Sequence, residues 1–146
     1  MNMQTSQTRS RAGLAAGLRV SISRLSRRMR AEGGHSLTAT QIAALGAVAR
    51  HEALTPGELA EHEKVQPPSM TRVIAQLEDK GLLTRSPHPT DRRQVILSLT
   101  PAGDKLFKEE RRRKEAWLAQ RLGELTSEER AILRQAAPIL ERISRG

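Results

Sequence analysis

The 146-residue chain contains no cysteine and no tyrosine, and it has one phenylalanine and one tryptophan. Without a thiol it has no disulfide framework, no thiolate zinc site, no cysteine nucleophile and no thiol-based peroxide sensor. That composition suits a reducing compartment. No segment approaches the roughly 20 consecutive apolar residues that cross a bilayer. The polar start, with Asn2, Gln4, Thr5, Ser6 and Gln7, lacks the apolar run of a signal peptide. These absences predict a cytoplasmic protein, neither exported nor membrane-embedded. With so few aromatics the core must come from Leu, Ile, Val and Ala, and the length suits one small domain or a compact two-part unit. Dimerisation would bury more apolar surface.

Catalytic apparatus is also missing. His35, His51, His62 and His88 are scattered, without a His-Glu-x-x-His or other metal-ligand spacing. Glu58, Glu61 and Glu63 near His62 read as exposed residues of a short helix. There is no Gly-rich phosphate loop and no Gly-x-Ser-x-Gly nucleophile turn. The sequence therefore predicts neither an enzyme nor a bound metal or cofactor.

What the chain does have is positive charge, with 25 Lys and Arg against 16 Asp and Glu. A net charge of +9 favours nucleic acid or another polyanion, because clustered cations displace condensed counterions from phosphate. The excess is uneven. Residues 1–35 carry seven Arg and one acid, residues 36–100 carry seven bases and seven acids, and residues 101–146 carry eleven bases and eight acids. The middle segment is neutral in bulk, so any nucleic-acid role there must come from its motifs. Arg outnumbers Lys by 20 to five, which follows from a G+C-rich genome as readily as from bidentate phosphate contacts.

Residues 1–10 show no hydrophobic period and predict a mobile tail. Leu14, Leu18, Ile22, Leu25 and Met29 then recur every three or four residues, one apolar stripe on a first helix that Gly33 and Gly34 end. Its Arg19, Arg24, Arg27, Arg28 and Arg30 form either a solvated face or a phosphate-facing one. Thr38 with Gln41 makes a capping box for a second helix, with Ile42, Leu45 and Val48 inward and its end near His51. Thr55, Pro56 and Glu58 open a third helix, Pro56 to His62, followed by a turn through Glu63, Lys64 and Val65. Pro67 and Pro68 fit only the first turn of a helix, so a fourth starts there and stops at Gly81. Leu82–Ser86 and Gln94–Leu99 read as two strands of a hairpin, joined by the extended loop from Pro87 to Arg93. Thr100-Pro101 opens a long charged helix with Leu106, Phe107, Trp117, Leu118 and Leu122. Thr126 with Glu129 caps a last one containing Ile132, Leu133, Ala136, Ile139, Leu140 and Ile143.

Three short helices followed by a hairpin is the element order of a winged helix-turn-helix. Leu54-Thr55-Pro56-Gly57-Glu58-Leu59-Ala60 and Met70-Thr71-Arg72-Val73-Ile74 lead to Leu77-Glu78 and Lys80-Gly81-Leu82-Leu83. Asp91-Arg92-Arg93 and Leu99-Thr100-Pro101-Ala102-Gly103 complete the set. In this ordered set, dense from about residue 38 to 106, the chain resembles the multiple antibiotic resistance regulator (MarR) family. The resemblance implies a mainly α (α+β) fold with three parts. Residues 1–10 are the tail, residues 36–100 form the winged lobe, and residues 11–35 and 101–146 form dimerisation helices. It also implies a homodimeric, ligand-responsive repressor on a pseudopalindromic operator in double-stranded DNA. Its effector would be a small aromatic or anionic molecule, for which no residues are assigned. The turn departs from the family pattern, with Lys64 where Gly is common and Gln66 where Ser or Thr is common. Either Lys64 is left-handed or the turn differs.

The fourth helix supports the reading independently. At 100° per residue Met70, Ile74 and Leu77 share one arc, and Ser69, Arg72 and Gln76 share another on the far side. Arg can pair with guanine, Gln with adenine, and Ser with bases or phosphate. The predicted DNA contacts are Gln66, Pro68, Ser69, Thr71, Arg72 and Gln76, with Arg92 and Arg93 from the hairpin tip. In the resembled family, the carboxylate at the position of Asp91 holds the arginine at that of Arg93 for a narrow minor groove. The plainer alternative is an exposed ion pair that only stiffens the hairpin. His88, between two prolines, reads as a loop residue. The predicted dimer contacts are Leu14, Leu18, Ile22, Leu25, Leu133, Ile139, Leu140 and Ile143. Two other classes compete. A winged-helix protein-interaction module would show little salt-dependent DNA affinity, and an architectural DNA-binding protein would bind random duplexes equally well.

Overall fold

The computed structural model describes residues 10–146. Along them run helices α1 (Arg11–Ala31), α2 (Ala39–Arg50), α3 (Pro56–Glu63) and α4 (Pro67–Asp79). Strands β1 (Leu83–Pro87) and β2 (Val95–Leu99) follow, then α5 (Pro101–Gly123) and α6 (Ser127–Ser144). The tail expected over residues 1–10 lies outside the described residues except for Ser10, whose side chain accepts the Gly13 N–H and caps α1. The chain divides into two compact units, one of Gly33–Arg112 and one of the residues up to Glu32 with Arg113–Gly146. The first unit includes the opening half of α5, which the sequence reading grouped with the dimerisation helices.

Polar caps set the helix starts of the first unit. Thr38 Oγ1 accepts the Gln41 N–H at 3.1 Å and Gln41 Oε1 accepts the Thr38 N–H at 2.9 Å, which completes the capping box of α2. Thr55 Oγ1 accepts the Glu58 N–H at 3.2 Å at the head of α3. Thr100 Oγ1 accepts the Gly103 N–H at 3.0 Å at the head of α5. Among the described residues, the buried hydrophobic ones all lie between Leu37 and Leu97, where α2, α3, α4 and the hairpin meet in one core. Leu45, Leu59, Ile74 and Leu77 have no exposed surface. Each such side chain contributes about 1.5–3 kcal/mol on burial.

The strands pair antiparallel from Leu83↔Leu99 to Pro87↔Val95. Each begins one residue later than the sequence suggested. Leu82 is used to finish α4, its N–H donating to the Leu77 carbonyl at 2.9 Å. Pro87, expected in the loop, ends the ladder, a position at which a missing N–H is tolerated. Leu54 adds a bridge that the sequence did not suggest, its carbonyl accepting the Leu97 N–H at 2.8 Å. The segment between α4 and β1 also sits tightly against α5, since a Cβ at Gly103 would overlap the Leu82 carbonyl oxygen.

The second unit is built differently. Neither α1 nor α6 has a buried residue. Thr126 and Glu129 form the capping box of α6, and Arg130 donates to the Leu122 and Leu125 carbonyls at the end of α5. The helix continues through Pro138.

Candidate nucleic-acid interface

The turn between α3 and α4 is set by one backbone conformation. Lys64 has φ 52° and ψ 43° and is the left-handed C-cap of α3. The Val65 N–H returns to the Ala60 carbonyl at 3.0 Å. Of the two possibilities at this departure from the family pattern, a residue with a side chain takes the left-handed position, at a cost of roughly 1 kcal/mol. Pro67 and Pro68 follow as the first residues of α4, so two amide donors that would be orphaned at a helix start do not exist. Gln66 makes no side-chain cap. An anion at this end would therefore be met mainly by side chains.

The α4 side chains divide by face. Met70, Ile74 and Leu77 are buried against α2 and α3, whereas Ser69, Thr71, Arg72 and Gln76 are exposed, together with Gln66 and Pro68 at the helix start. Thr71 turns its hydroxyl back to the Pro67 carbonyl at 2.9 Å, which leaves its oxygen as an acceptor. Gln76 is tied from behind, its Oε1 accepting from Gln41 Nε2 at 3.0 Å. Arg72 stands outward on this face. The exposed set combines cationic, amide and hydroxyl groups on a rigid helix, the chemistry needed to address base edges in a major groove.

The wing tip brings together Asp91 and Arg93. Asp91 Oδ1 accepts the Arg93 backbone N–H at 3.0 Å and lies 3.5 Å from Arg93 Nε. The Arg93 side chain is 92% exposed, so the ion pair with Asp91 leaves the guanidinium open to solvent. Arg92 is also exposed. His88 lies in the loop, as expected, and its ring bonds to the backbone of the tip. Its Nδ1 accepts the backbone N–H of Thr90 at 3.2 Å and of Asp91 at 3.0 Å, closing the loop that carries Asp91. The interaction of His88 with residues two and three further on resembles an Asx turn, a signal the sequence contains but that histidine rarely gives.

A contact that the sequence did not suggest joins the wing to the helix. Arg85 on β1 donates from both Nε and Nη2 to Glu78 Oε1 at 2.7 Å. The other histidines have structural partners. His35 lies 3.7 Å from Glu110 and accepts the Leu37 N–H, and His51 stacks on His62 with ring centroids 4.4 Å apart. Among the described residues no three His, Asp or Glu converge to hold a metal ion, and no helix is long and apolar enough to cross a membrane.

In the other unit, Trp117 has the guanidinium groups of Arg28 and Arg121 at 5.7 and 5.4 Å from its ring centroid. At least Arg28 of the α1 arginines thus has an aromatic partner within the unit. The expected dimer contacts Leu14, Leu18, Ile22, Leu25, Leu133, Ile139, Leu140 and Ile143 are all between 36% and 65% exposed, and Ile132 joins them at 64%.

Known proteins agree with this geometry. The MarR family profile matches residues 37–95. An HTH-type transcriptional regulator of Mycobacterium tuberculosis is 47% identical over 130 residues, covering 88% of this chain and 91% of the relative. The HTH-type transcriptional repressor MdtR of Bacillus subtilis is 35% identical over 108 residues, covering 74% of this chain and 68% of MdtR. Among solved structures, a single-site variant of MarR from E. coli superposes with a TM-score of 0.77 at 25% identity, over 89% of this chain and 95% of that one.

Proposed function

The chain belongs to the MarR family of DNA-binding transcriptional regulators, and we propose that it acts as a homodimeric repressor reading a pseudopalindromic operator. The observation that carries the DNA-reading half is the division of α4. Its apolar face is fully committed to the core, and its outward face presents Ser69, Arg72 and Gln76 beside a wing whose Asp91 holds Arg93. The observation that carries the dimer is the nine large hydrophobic side chains exposed on α1 and α6. Burying each half-exposed side chain contributes on the order of 1 kcal/mol. Apolar surface of this extent on two helices marks an interface, and a two-fold axis would place two α4 helices on half-sites about one helical turn apart.

In this reading Ser69, Arg72 and Gln76 contact base edges, with Gln66, Pro68 and Thr71 at the rim of the same groove. Arg93 enters the adjacent minor groove and Arg92 meets phosphate. Repression follows where the operator overlaps a promoter. Release by a small aromatic or anionic effector is supported by family membership alone.

The test is selection of duplexes from a randomised pool by the purified protein, followed by binding titrations. A pseudopalindromic consensus, bound at least about 1000-fold more tightly than random duplex, is the expected result. Equal affinity for selected and random duplexes would instead identify an architectural DNA-binding protein, and weak binding insensitive to salt a protein-interaction module.

A further inference from the structure

Two hydrogen bonds run in series from the start of α2 to the outward face of α4. The Thr38 backbone N–H donates to Gln41 Oε1 at 2.9 Å, and Gln41 Nε2 donates to Gln76 Oε1 at 3.0 Å. The series has a single polarity. A backbone N–H can only donate, so Gln41 must meet it with oxygen. The Gln41 nitrogen then faces Gln76, which must answer with its own oxygen. Gln41 is only 6% exposed, so its amide is held within the lobe. Reversing Gln76 alone would set two NH2 groups against each other at 3.0 Å. Reversing both would set the Gln41 NH2 against the backbone N–H of Thr38, the N-cap residue of α2.

We infer that Gln41 fixes the amide of Gln76 with Nε2 outward, so that Gln76 addresses only hydrogen-bond acceptors on the bases. This deepens the reading of α4 as the DNA-facing helix and rests on it. An unconstrained glutamine pairs with adenine through two bonds, donating to N7 and accepting from the N6 amine. Gln76 has its oxygen engaged behind the helix face and keeps two N–H donors for solvent or DNA. The groups it can meet are purine N7, guanine O6 and thymine O4. Gln41 touches no DNA in this scheme and is a positioning residue, whose effect on specificity passes through Gln76.

The experiment deletes single groups from the duplex that the full-length protein selects. 7-Deazapurines remove N7, 2-aminopurine in place of guanine removes O6, and 5-methyl-2-pyrimidinone in place of thymine removes O4; all three delete acceptors. Purine in place of adenine, and 2-pyrimidinone in place of cytosine, delete donors. At one base pair per half-site, an acceptor deletion should weaken wild-type binding about tenfold, one hydrogen bond's worth. The same deletion should cost Gln76→Ala nothing further. Gln41→Glu should invert the pattern. Its carboxylate still accepts the Thr38 N–H, as glutamate does in a capping box, but it can only accept from Gln76, whose nitrogen turns inward and whose oxygen turns outward. Donor deletions then become the costly ones. If Gln41→Glu does not fold, the wild-type and Gln76→Ala analogue series decides alone. A Gln76-dependent loss on a donor deletion in the wild type overturns the inference and leaves the DNA-reading proposal standing. So does a selected sequence on which no analogue depends on Gln76. Failure of the wild type to select any sequence overturns both.

Discussion

The two units of the chain handle their hydrophobic residues in opposite ways. In Gly33–Arg112 the apolar side chains of three short helices and a hairpin close on one another, and the buried hydrophobic residues between Leu37 and Leu97 form one core. In the other unit α1 and α6 bury no residue, and nine large hydrophobics on those helices stay exposed. Both sets come from ordinary amphipathic periodicity. The lobe buries its stripes against one another, whereas among the described residues the stripes of α1 and α6 stay partly exposed. A self-contained core lets the lobe hold α4 and the wing rigidly enough to read a groove. In the proposed dimer, the exposed stripes of α1 and α6 would bring two such lobes together.

The contrast breaks most severely at the unfilled interface. Leu18→Asp with Ile22→Asp should raise the dimer dissociation constant more than about 100-fold, or cause aggregation, because two charges enter an apolar contact. Sedimentation at micromolar concentration checks this, and a well-folded wild-type monomer would refute it. Next in size is a change confined to the lobe. Gly103→Ala drives a Cβ into the Leu82 carbonyl oxygen. We expect a loss of about 2–4 kcal/mol in urea unfolding, with dimerisation retained once the protein is folded.

Smaller effects should separate reading from anchoring within the lobe. Arg72→Ala should weaken operator binding by about 1–3 kcal/mol, with relaxed preference at one base pair per half-site and little loss on random duplex. The wing should respond more mildly and in a diagnostic direction. Arg93→Ala should cost about 1 kcal/mol and lower the salt slope. Asp91→Ala should weaken binding too, although deleting an acid from a DNA-binding surface strengthens it on charge alone. Titrations at several salt concentrations showing tighter binding by the Asp91 variant would reduce Arg93 to a generic phosphate contact. His88→Asn, which keeps an acceptor near the Nδ1 position, should bind better than His88→Ala.

Local signals made most of the lobe legible. Thr38 with Gln41, Thr55 with Pro56, the Pro67–Pro68 pair and Gly81 each determine a helix end through a bond or a steric limit that involves near neighbours. Those boundaries therefore fall within a residue or two of the expected ones. The strand starts slipped by one because Leu82 was claimed by the end of α4, a competition the β pattern does not reveal. The division of α4 into a buried and an exposed face was legible because it depends only on the helical period. What adjusts the site was not. Gln41 and Gln76 are 35 positions apart, and Arg85 meets Glu78 only after the hairpin folds back on the helix. Pro138 shows the reverse case. Its local preference against a helix interior is overridden along α6 without any sign in the apolar stripe.

The most direct test of a lobe that reads and termini that pair is hydroxyl-radical footprinting of the purified protein on its selected duplex across a protein titration. Two half-sites related by a pseudo-two-fold axis, with centres about 10 bp apart, should become protected together, and the Leu18→Asp, Ile22→Asp variant should lose both at the same protein concentration. Protection of one asymmetric half-site, unchanged by that variant, would contradict the division of labour between the two units.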